Sequence, residues 1–241
     1  MNAVIIIPAR YDAKRLPGKP LLDGTGKTLI EHVYRRALEA RLASDVLVAT
    51  DDERIALAVA AFGGRCVMTS RNCPSGTDRV AEVVRGLIPA PEAIVNLQGD
   101  EPEMDPDYID TVIRSLAEDG TADIATLAAP VTDPARYSPP QAVKVVTDPD
   151  GYALYFSRAP IPFPREDAPE YLIHIGLYAY RPAALRRLAS LSPTPLERKE
   201  GLEQLRALEH HMRIRVAIVT RETHGIDTPG DYEAFVRRMN P

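Results

Sequence analysis

The chain places a strongly basic loop directly after its first apolar segment. That segment, residues 3–7, is rich in β-branched residues and stops at Pro8, a pattern typical of a strand buried in a parallel sheet. The basic residues of the following loop are Arg10, Lys14, Arg15 and Lys19. Against the single acid Asp12 they make a local charge of +3, and Gly18 gives the backbone extra freedom. Such a loop suits a polyphosphate, although a solvated surface loop has the same composition.

Carboxylates follow a second apolar segment and precede the last predicted helix. Residues 93–97 lead into the sequence QGDE, which contains Asp100. An aspartate at such a strand end can hold Mg²⁺ against phosphate oxygens, because that ion takes hard oxygen ligands, but the same residues also form simple turns. Asp227 lies in the sequence GIDTP, where it is equally suited to capping a helix. A metal site requires the fold to bring the two aspartates together.

The histidines and cysteines do not form a recognisable nucleophile arrangement. His174 and Tyr178 alternate onto one face of an apolar strand, so His174 is either a core residue or part of a pocket. No Ser-His-Asp or Cys-His order is persuasive, which argues against covalent catalysis. Cys66 and Cys73 lack the spacing of a zinc site, and we expect ordinary thiols in a reducing compartment.

An alternation of strands and helices must position these side chains. Strands are predicted at residues 3–7, 46–49, 66–69 and 93–97, and helices at 28–43, 53–62, 77–87 and 106–116. This alternation predicts an α/β fold with a doubly wound, mostly parallel sheet. Ligands of such sheets bind beyond the carboxyl ends of the strands, where the basic loop and Asp100 are expected.

The regular alternation of predicted strands and helices ends after residue 123. Strands are predicted at 124–131, 142–147, 152–156, 173–180 and 214–219, and helices at 182–191, 196–208 and 229–239. Of the 22 prolines, twelve lie between Pro130 and Pro195, which favours turns and antiparallel or mixed pairing. We therefore predict a single domain over residues 1–241, with residues 130–180 as an inserted mixed-sheet arm.

Composition excludes several classes of protein. Over 241 residues, 45% apolar and 26% charged side chains are typical of a globular protein and exclude a disordered chain. The net charge of −5 argues against a general nucleic-acid or anionic-membrane partner. The sequence contains no apolar run of about 18 residues and no leader pattern at its N-terminus, so we expect a cytoplasmic protein.

Eight segments carry a family resemblance. In chain order they are IPARYDAKRLPGKPL, SGTDR, VNLQGDEP, AVKVV, YFSRAPIP, HIGLYAYR, LEQLRALE and GIDTP. In these segments the chain resembles the 3-deoxy-manno-octulosonate (Kdo) cytidylyltransferases, or CMP-Kdo synthetases. The first and third segments are shared with other sugar-nucleotide transferases, whereas the fifth, sixth and seventh narrow the resemblance to the Kdo branch.

The resemblance implies a fold, a reaction and an assembly. The fold would be that of the nucleotide-diphospho-sugar transferases, with the inserted arm serving dimerisation. The reaction would transfer a cytidylyl group from CTP to the anomeric hydroxyl of Kdo, with Mg²⁺ as cofactor and release of pyrophosphate, and would feed lipopolysaccharide assembly. The active form would be a homodimer joined through residues 130–169.

The resemblance also implies a set of site residues. CTP would be bound by Pro8, Ala9, Arg10, Arg15, Lys19, Ser75 and Arg79. Kdo would be surrounded by Gln98, Arg158, His174, Tyr178, Glu203 and Gln204. The metal would be held by Asp100 and Asp227, and the catalytic set would be Arg10, Arg15, Lys19, Asp100 and Asp227. Transfer of a phosphoryl-type group relies on positioning and charge neutralisation, which agrees with a site of cations and carboxylates.

The chain departs from the family pattern in three places. Cys73 stands where the family commonly has histidine, Gln141 stands where asparagine is usual, and His210-His211 replaces a turn that usually contains glycine. Cys73 puts in doubt any role of an imidazole in that loop.

Two alternatives to the Kdo reaction remain at this stage. One is activation of a related acidic sugar, such as 8-amino-Kdo or a sialic acid. The other is a nucleotide-sensing binding module without catalysis, which the presence of both Asp100 and Asp227 argues against.

Overall fold

The computed structural model describes residues 1–12, 16–165 and 170–240, which form two compact units. Unit 1 comprises Met1–Asp110 and Thr223–Pro241, and unit 2 comprises Thr111–Glu222. The chain thus leaves unit 1 and returns to it near its end. Unit 2 is longer than the arm predicted at residues 130–180, and the single domain over residues 1–241 stays a prediction.

The elements alternate as expected in the first half. The strands are β1 (Ala3–Ala9), β2 (Ala43–Thr50), β3 (Cys66–Met68), β4 (Ala93–Asn96), β5 (Ile124–Val131), β6 (Lys144–Thr147), β7 (Ala153–Ser157), β8 (Tyr171–Tyr180) and β9 (Ile214–Ile218). The helices are α1 (Leu29–Leu38), α2 (Glu53–Ala61), α3 (Gly76–Arg85), α4 (Pro106–Glu118), α5 (Pro134–Tyr137), α6 (Pro182–Ser190), α7 (Pro195–Glu200), α8 (Gln204–Glu209) and α9 (Pro229–Met239). A 3₁₀ turn covers Lys19–Leu21. In the described residues, no helix is both long and apolar enough to cross a membrane.

Unit 1 is built on parallel strands in the order β3-β2-β1-β4. Every residue of β1 is buried, as its continuous apolar sequence predicts for a central strand. The register pairs Ala9 with Thr50 and Ile6 with Asn96, so β1, β2 and β4 end at the same edge. This parallel pairing confirms the prediction of an α/β fold with a mostly parallel sheet, and it brings the loops after these strands to one edge.

Helix α9 returns to unit 1 through a small apolar cluster. Phe235 of α9 packs with Leu29 of α1 and with Ile226, and each of these side chains is almost fully buried. The N-terminus of α9 has a capping box, because Thr228 Oγ1 accepts from the Asp231 amide while the Asp231 carboxylate accepts from the Thr228 amide. The cluster and the cap together fix the segment that contains Asp227.

Two predicted helix boundaries are wrong for identifiable reasons. The helix predicted at residues 28–43 ends at Leu38, because the amides of Arg41 and Leu42 donate to Oδ1 of the buried Asp110 (2.9 Å each) and turn the chain out of the helix. The helix predicted at residues 196–208 is divided into α7 and α8, because Gly201 adopts a left-handed conformation (φ 63°).

Unit 2 contains a mixed sheet. Strand β5 pairs antiparallel with β8 and parallel with β9, while β6 pairs antiparallel with both β7 and β8. The β5–β8 ladder shifts register between Thr126 and Leu127. The buried hydroxyl of Thr126 bonds there to the carbonyls of Ile175 and Leu177, at 3.3 and 2.9 Å. The predicted change to antiparallel and mixed pairing after residue 123 is confirmed, whereas a role of this region in dimerisation stays a prediction.

We expect Asp110→Ala to lower the free energy of unfolding by about 2–4 kcal/mol, because it leaves two backbone amides without their acceptor. The matched control is Asp107→Ala. Asp107 pairs with the same Arg41, but both side chains are exposed, so the expected loss is below about 1 kcal/mol. Urea denaturation measures both values, and equal losses in the two variants would contradict this account.

Candidate active site

An open cavity of about 280 Å³ lies at the carboxyl ends of β1 and β4 in unit 1. The residues that line it are Pro8, Ala9, Arg10, Asp12, Lys19, Pro20, Gly76, Gln98, Gly99 and Asp100. Six of them are residues for which the sequence predicts a role in the site: Pro8, Ala9, Arg10, Lys19, Gln98 and Asp100. Arg15, predicted to bind CTP and act in catalysis, lies outside the described residues, as does Lys14.

Two glycines let the walls of this cavity approach each other. A Cβ at Gly99 would lie 2.9 Å from the carbonyl oxygen of Pro8, closer than real side chains come. A Cβ at Gly76 would lie 3.3 Å from the Pro8 ring. The sequence QGDE contains the glycine at position 99, but its packing against Pro8 is visible only in the fold. The close approach brings Asp100 next to the end of β1, where the basic loop starts.

Lys19 joins the two aspartates that the sequence leaves far apart. Its Nζ donates to Oδ2 of Asp100 (2.8 Å) and to the carbonyl of Ile226 (2.8 Å), and it lies 3.8 Å from Oδ1 of Asp227. The Ile226 amide in turn donates to the carbonyl of Asp100 (2.8 Å). The fold therefore brings Asp100 and Asp227 to one cation, which answers the question that their sequence positions leave open.

Glu101 adds a buried carboxyl group beside this pair. Its Oε2 is buried and has no hydrogen-bond partner among the described residues, and a Cβ on Gly225 would lie 3.0 Å from its Oε1. The pKa of Glu101 is raised to about 8, mainly by burial of its carboxyl group and in addition by the negative charge of Asp100. The sequence places Glu101 beside Asp100, but only the fold shows that its carboxyl is enclosed.

Arg10 is held by the loop that contains Cys73. An Nη2 hydrogen of Arg10 is donated to the Cys73 carbonyl. The Cys73 thiol donates to Oε2 of Glu82 (3.0 Å), and the Ser70 amide donates to Oε1 of the same carboxylate (2.9 Å). Burial and the Glu82 carboxylate raise the pKa of Cys73 to about 11, so the thiol stays protonated. The thiol anchors this loop to α3 and is unsuited to act as a nucleophile.

Ser75 and Arg79 are engaged within helix α3 and its surroundings. Ser75 caps α3 in a capping box with Asp78. Arg79 is fully buried, donates to the hydroxyl of Thr69 and has Nη2 3.1 Å from Oδ2 of Asp51. Neither residue is among those that line the cavity, and their predicted contact with the nucleotide stays a prediction.

In unit 2, two predicted sugar-binding residues belong to an aromatic cluster on β8. His174 lies 5.0 Å from Phe156 and 5.3 Å from Tyr178 between ring centres, and its Nε2 is 3.0 Å from Oγ1 of Thr126. Burial lowers the pKa of His174 to about 3, so the imidazole is neutral at neutral pH. Tyr178 stacks on Tyr180, and burial raises the pKa of Tyr178 well above its usual value.

The other predicted sugar-binding residues of unit 2 meet near the break between α7 and α8. Arg158 donates from Nε to the Glu200 carbonyl (2.6 Å), from Nη1 to that of Pro140 (2.8 Å) and from Nη2 to that of Gly201 (3.3 Å). Glu203 precedes α8 and lies 3.9 Å from Nη2 of Arg206, and Gln204 begins that helix. These contacts fix the direction of the Arg158 side chain. The sixth predicted residue, Gln98, belongs to unit 1, where its Nε2 donates to Oδ1 of Asn96 (3.1 Å).

The parallel sheet of unit 1, with a basic loop and paired carboxylates at its carboxyl edge, defines a nucleotide-binding protein of the α/β class. A family model described as "Cytidylyltransferase" matches residues 4–214. The 3-deoxy-manno-octulosonate cytidylyltransferase of Halorhodospira halophila is 51% identical over 247 residues, covering 98% of this chain and 96% of that protein. The protein of the same name from Geobacter sulfurreducens is 48% identical over 251 residues, with coverages of 99% and 100%.

A solved structure points to the same family as the two sequence relatives. The structure of CMP:2-keto-3-deoxy-manno-octonic acid synthetase complexed with CTP superposes with a TM-score of 0.94 at 43% identity, covering 100% of this chain and 99% of that one. This chain belongs to the 3-deoxy-manno-octulosonate cytidylyltransferase family of nucleotidyltransferases. The family resemblance drawn from the eight sequence segments is thereby confirmed.

The lowered pKa of the His174 imidazole predicts a pH dependence of stability. The pKa of His174 falls from 6.5 to about 3 on folding. Below pH 6.5 its imidazole therefore binds a proton in the unfolded chain but stays neutral in the native protein. Stability is therefore lost as the pH falls. Between pH 7 and pH 5 we expect the wild type to lose about 1–2 kcal/mol more than His174→Gln, whose amide has no charged form. Urea denaturation at the two pH values tests this, and equal losses in both proteins would contradict it.

Proposed function

We propose that this protein transfers a cytidylyl group from CTP to Kdo and thereby makes CMP-Kdo for lipopolysaccharide assembly. The anomeric hydroxyl of Kdo would lose its proton to solvent water, and its oxygen would attack the α-phosphorus of CTP. The bond from that phosphorus to the oxygen bridging to the β-phosphate would break, and pyrophosphate would leave with that oxygen. The observation that carries this proposal is the cavity in which Arg10, Lys19 and Asp100 converge. The related structure solved with CTP supports it.

The chain's own contribution to this reaction is charge and position. Arg10 and Lys19 carry positive charge on the wall of the cavity, where the triphosphate would develop negative charge on its leaving pyrophosphate. The only described thiol close to Arg10, that of Cys73, has a pKa near 11 and is engaged by Glu82. The proposed mechanism is therefore direct transfer without a covalent enzyme intermediate.

We propose Mg²⁺ as the cofactor, held by Asp100 and Asp227. Both carboxylates already face one cation, the Lys19 ammonium, and carboxylate oxygens are the ligands that Mg²⁺ takes. Within the described residues, no group of three or more His, Cys, Asp or Glu is arranged to hold a metal, so the remaining ligands would come from phosphate oxygens and water. When bound, Mg²⁺ neutralises phosphate charge and makes a hydroxyl more acidic.

We propose that Kdo is recognised by Arg158 and the β8 cluster in unit 2. A guanidinium has five N–H groups, and three of those on Arg158 are bonded to backbone carbonyls. Within the described part of the chain the other two N–H groups are not used by these three bonds, and they would bind the carboxylate of an acidic sugar with little loss of side-chain freedom because the group is already fixed. Neutral His174 and protonated Tyr178 would offer hydrogen bonds to sugar hydroxyls rather than charge.

We also propose a cytoplasmic homodimer joined through residues 130–169. Phe163 supports this assignment, because its large apolar side chain is 85% exposed. Analytical ultracentrifugation at micromolar protein tests the assembly, and a monomer would contradict it.

A coupled assay for pyrophosphate tests the proposed reaction. Release is expected only when a divalent ion, CTP and Kdo are all present. A panel that includes the other nucleoside triphosphates, 8-amino-Kdo and a sialic acid separates the Kdo reaction from that of a related sugar. Binding of CTP by folded protein without turnover of any sugar would instead support a nucleotide-sensing module.

We expect Asp100→Asn to lower kcat at least about 100-fold while CTP affinity changes less than about threefold. The substitution removes one of the two carboxylates proposed to hold the metal, whereas Arg10 stays in place. The matched control is Asp23→Asn, which neutralises an exposed aspartate of the same unit. Steady-state kinetics and calorimetry measure the two quantities, and equal losses in both would argue against this function of Asp100.

We expect Lys19→Met to bind Mn²⁺ about tenfold more tightly than the wild type in the absence of CTP. The Lys19 ammonium occupies the position between Asp100 and Asp227, so a divalent ion must displace it. In the wild type, CTP should strengthen Mn²⁺ binding, because its phosphates attract the ammonium away from the carboxylates.

Electron paramagnetic resonance of free Mn²⁺ measures this binding without any turnover. Lys27→Met is the matched control, since Lys27 is exposed and lies in the same unit. Unchanged or weaker Mn²⁺ binding by Lys19→Met would show that the ammonium does not compete with the metal.

A further inference from the structure

The described part of the basic loop contains a cation–aromatic contact that the proposed reaction does not use. The guanidinium carbon of Arg54, on α2, lies 3.3 Å from the centre of the Tyr11 ring. Tyr11 directly follows Arg10, whose side chain lines the cavity. The contact therefore links helix α2 to the beginning of the basic loop.

Arg54 is itself held in place by Asp52. Its Nε donates to Oδ1 (2.9 Å) and its Nη2 donates to Oδ2 (2.6 Å) of that carboxylate. Asp52 also caps α2, because its Oδ1 accepts from the Arg54 amide (2.9 Å). The two-point contact presents the guanidinium to the Tyr11 ring in one orientation and balances its charge.

Tyr11 is also in contact with the far end of the loop. The Gly18 amide donates to the Tyr11 carbonyl (3.0 Å), and a Cβ on Gly18 would lie 3.3 Å from the Tyr11 ring. Gly18 has φ 69° and directly precedes Lys19, the first residue of the 3₁₀ turn. Tyr11 thus joins the two described ends of the loop, one beside Arg10 and the other beside Lys19.

We propose that Arg54 and Tyr11 are positioning residues for CTP. The Asp52–Arg54 pair fixes the Tyr11 ring, and the ring fixes the relative positions of Arg10 and Lys19, so that both cations meet the triphosphate. This inference rests on the proposed function. Arg54 does not line the cavity, and its charge is balanced by Asp52, so its effect on CTP comes through position.

Substitutions at Arg54 and Tyr11 test the contact. Removing the cation from the Tyr11 ring loosens the contact that holds the loop, so Arg54→Met should raise both the Kd and the KM for CTP about threefold to fivefold. The kcat and the KM for Kdo should change less than about twofold. Tyr11→Leu should have at least the same effect, whereas Tyr11→Phe, which keeps the ring, should stay close to the wild type.

The variant Asp52→Asn distinguishes an effect of Arg54 orientation on CTP binding from an effect of net charge. Asparagine still caps a helix, but it no longer orients Arg54 by an ion pair. The variant is one unit more positive near a triphosphate site, so long-range attraction alone would lower the Kd for CTP. The positioning role predicts a higher Kd instead.

A matched control measures the effect on CTP binding of removing a surface arginine elsewhere in the unit. Arg35→Met removes a half-exposed arginine that is paired with Glu31 within α1 of the same unit, and it should leave CTP binding unchanged. Thermal denaturation of each variant checks that the fold is retained.

Calorimetric CTP binding decides the proposal independently of turnover. A wild type that binds CTP without reacting with Kdo would refute the proposed function, and the Kd values of the variants would still judge the positioning role. That role is overturned by any one of four outcomes: no CTP binding by the wild type, an unchanged Kd in Arg54→Met, a lower Kd in Asp52→Asn, or equal Kd values in Tyr11→Leu and Tyr11→Phe.

Discussion

The contact of Lys19 with Asp100, the Ile226 carbonyl and Asp227 is the interaction on which the geometry of unit 1 depends most. It joins the loop after β1, the loop after β4 and the segment before α9, which are far apart in the chain. A partly buried ammonium offsets the repulsion between the carboxylates of Asp100 and Asp227, which would otherwise face each other. Glu101 lies next to them with a raised pKa of about 8, so it is a neutral carboxylic acid at neutral pH. Without a cation at this position the segments would repel one another.

Packing makes this electrostatic contact possible. Gly99 lets the end of β4 approach the Pro8 carbonyl, and Phe235 anchors α9 beside Ile226 on the apolar surface of Leu29. Burial keeps a nearby titratable group neutral: the thiol of Cys73, next to Glu82, has a raised pKa and stays protonated. The site therefore holds Lys19, Asp100 and Asp227 in fixed positions, while the nearby thiol of Cys73 is not reactive. This arrangement suits group transfer that depends on positioning and charge.

Much of the fold could be predicted from local patterns. The continuous apolar sequence of β1 predicted a central parallel strand, and Pro229 predicted the start of α9. One helix boundary was wrong because a distant group overrides local preference, and the other was wrong because a glycine within the predicted helix adopts a left-handed backbone. The helix predicted at residues 28–43 stops early because Asp110, which is distant in sequence, captures the amides after it. Gly201 interrupts the predicted helix at 196–208, because its left-handed backbone satisfies a cap rather than a further turn.

For the site, the sequence by itself determined the chemistry available: a basic loop after the first strand, an aspartate after β4 and another before the last helix. Residue types and order carried this information, because strand ends meet at one edge of a parallel sheet. Only the tertiary structure decided that Asp100 and Asp227 share Lys19, that Glu101 is enclosed, and that Arg54 stacks on Tyr11. These relations depend on the packing of segments distant in the chain, and such contacts leave no periodic signal in the sequence.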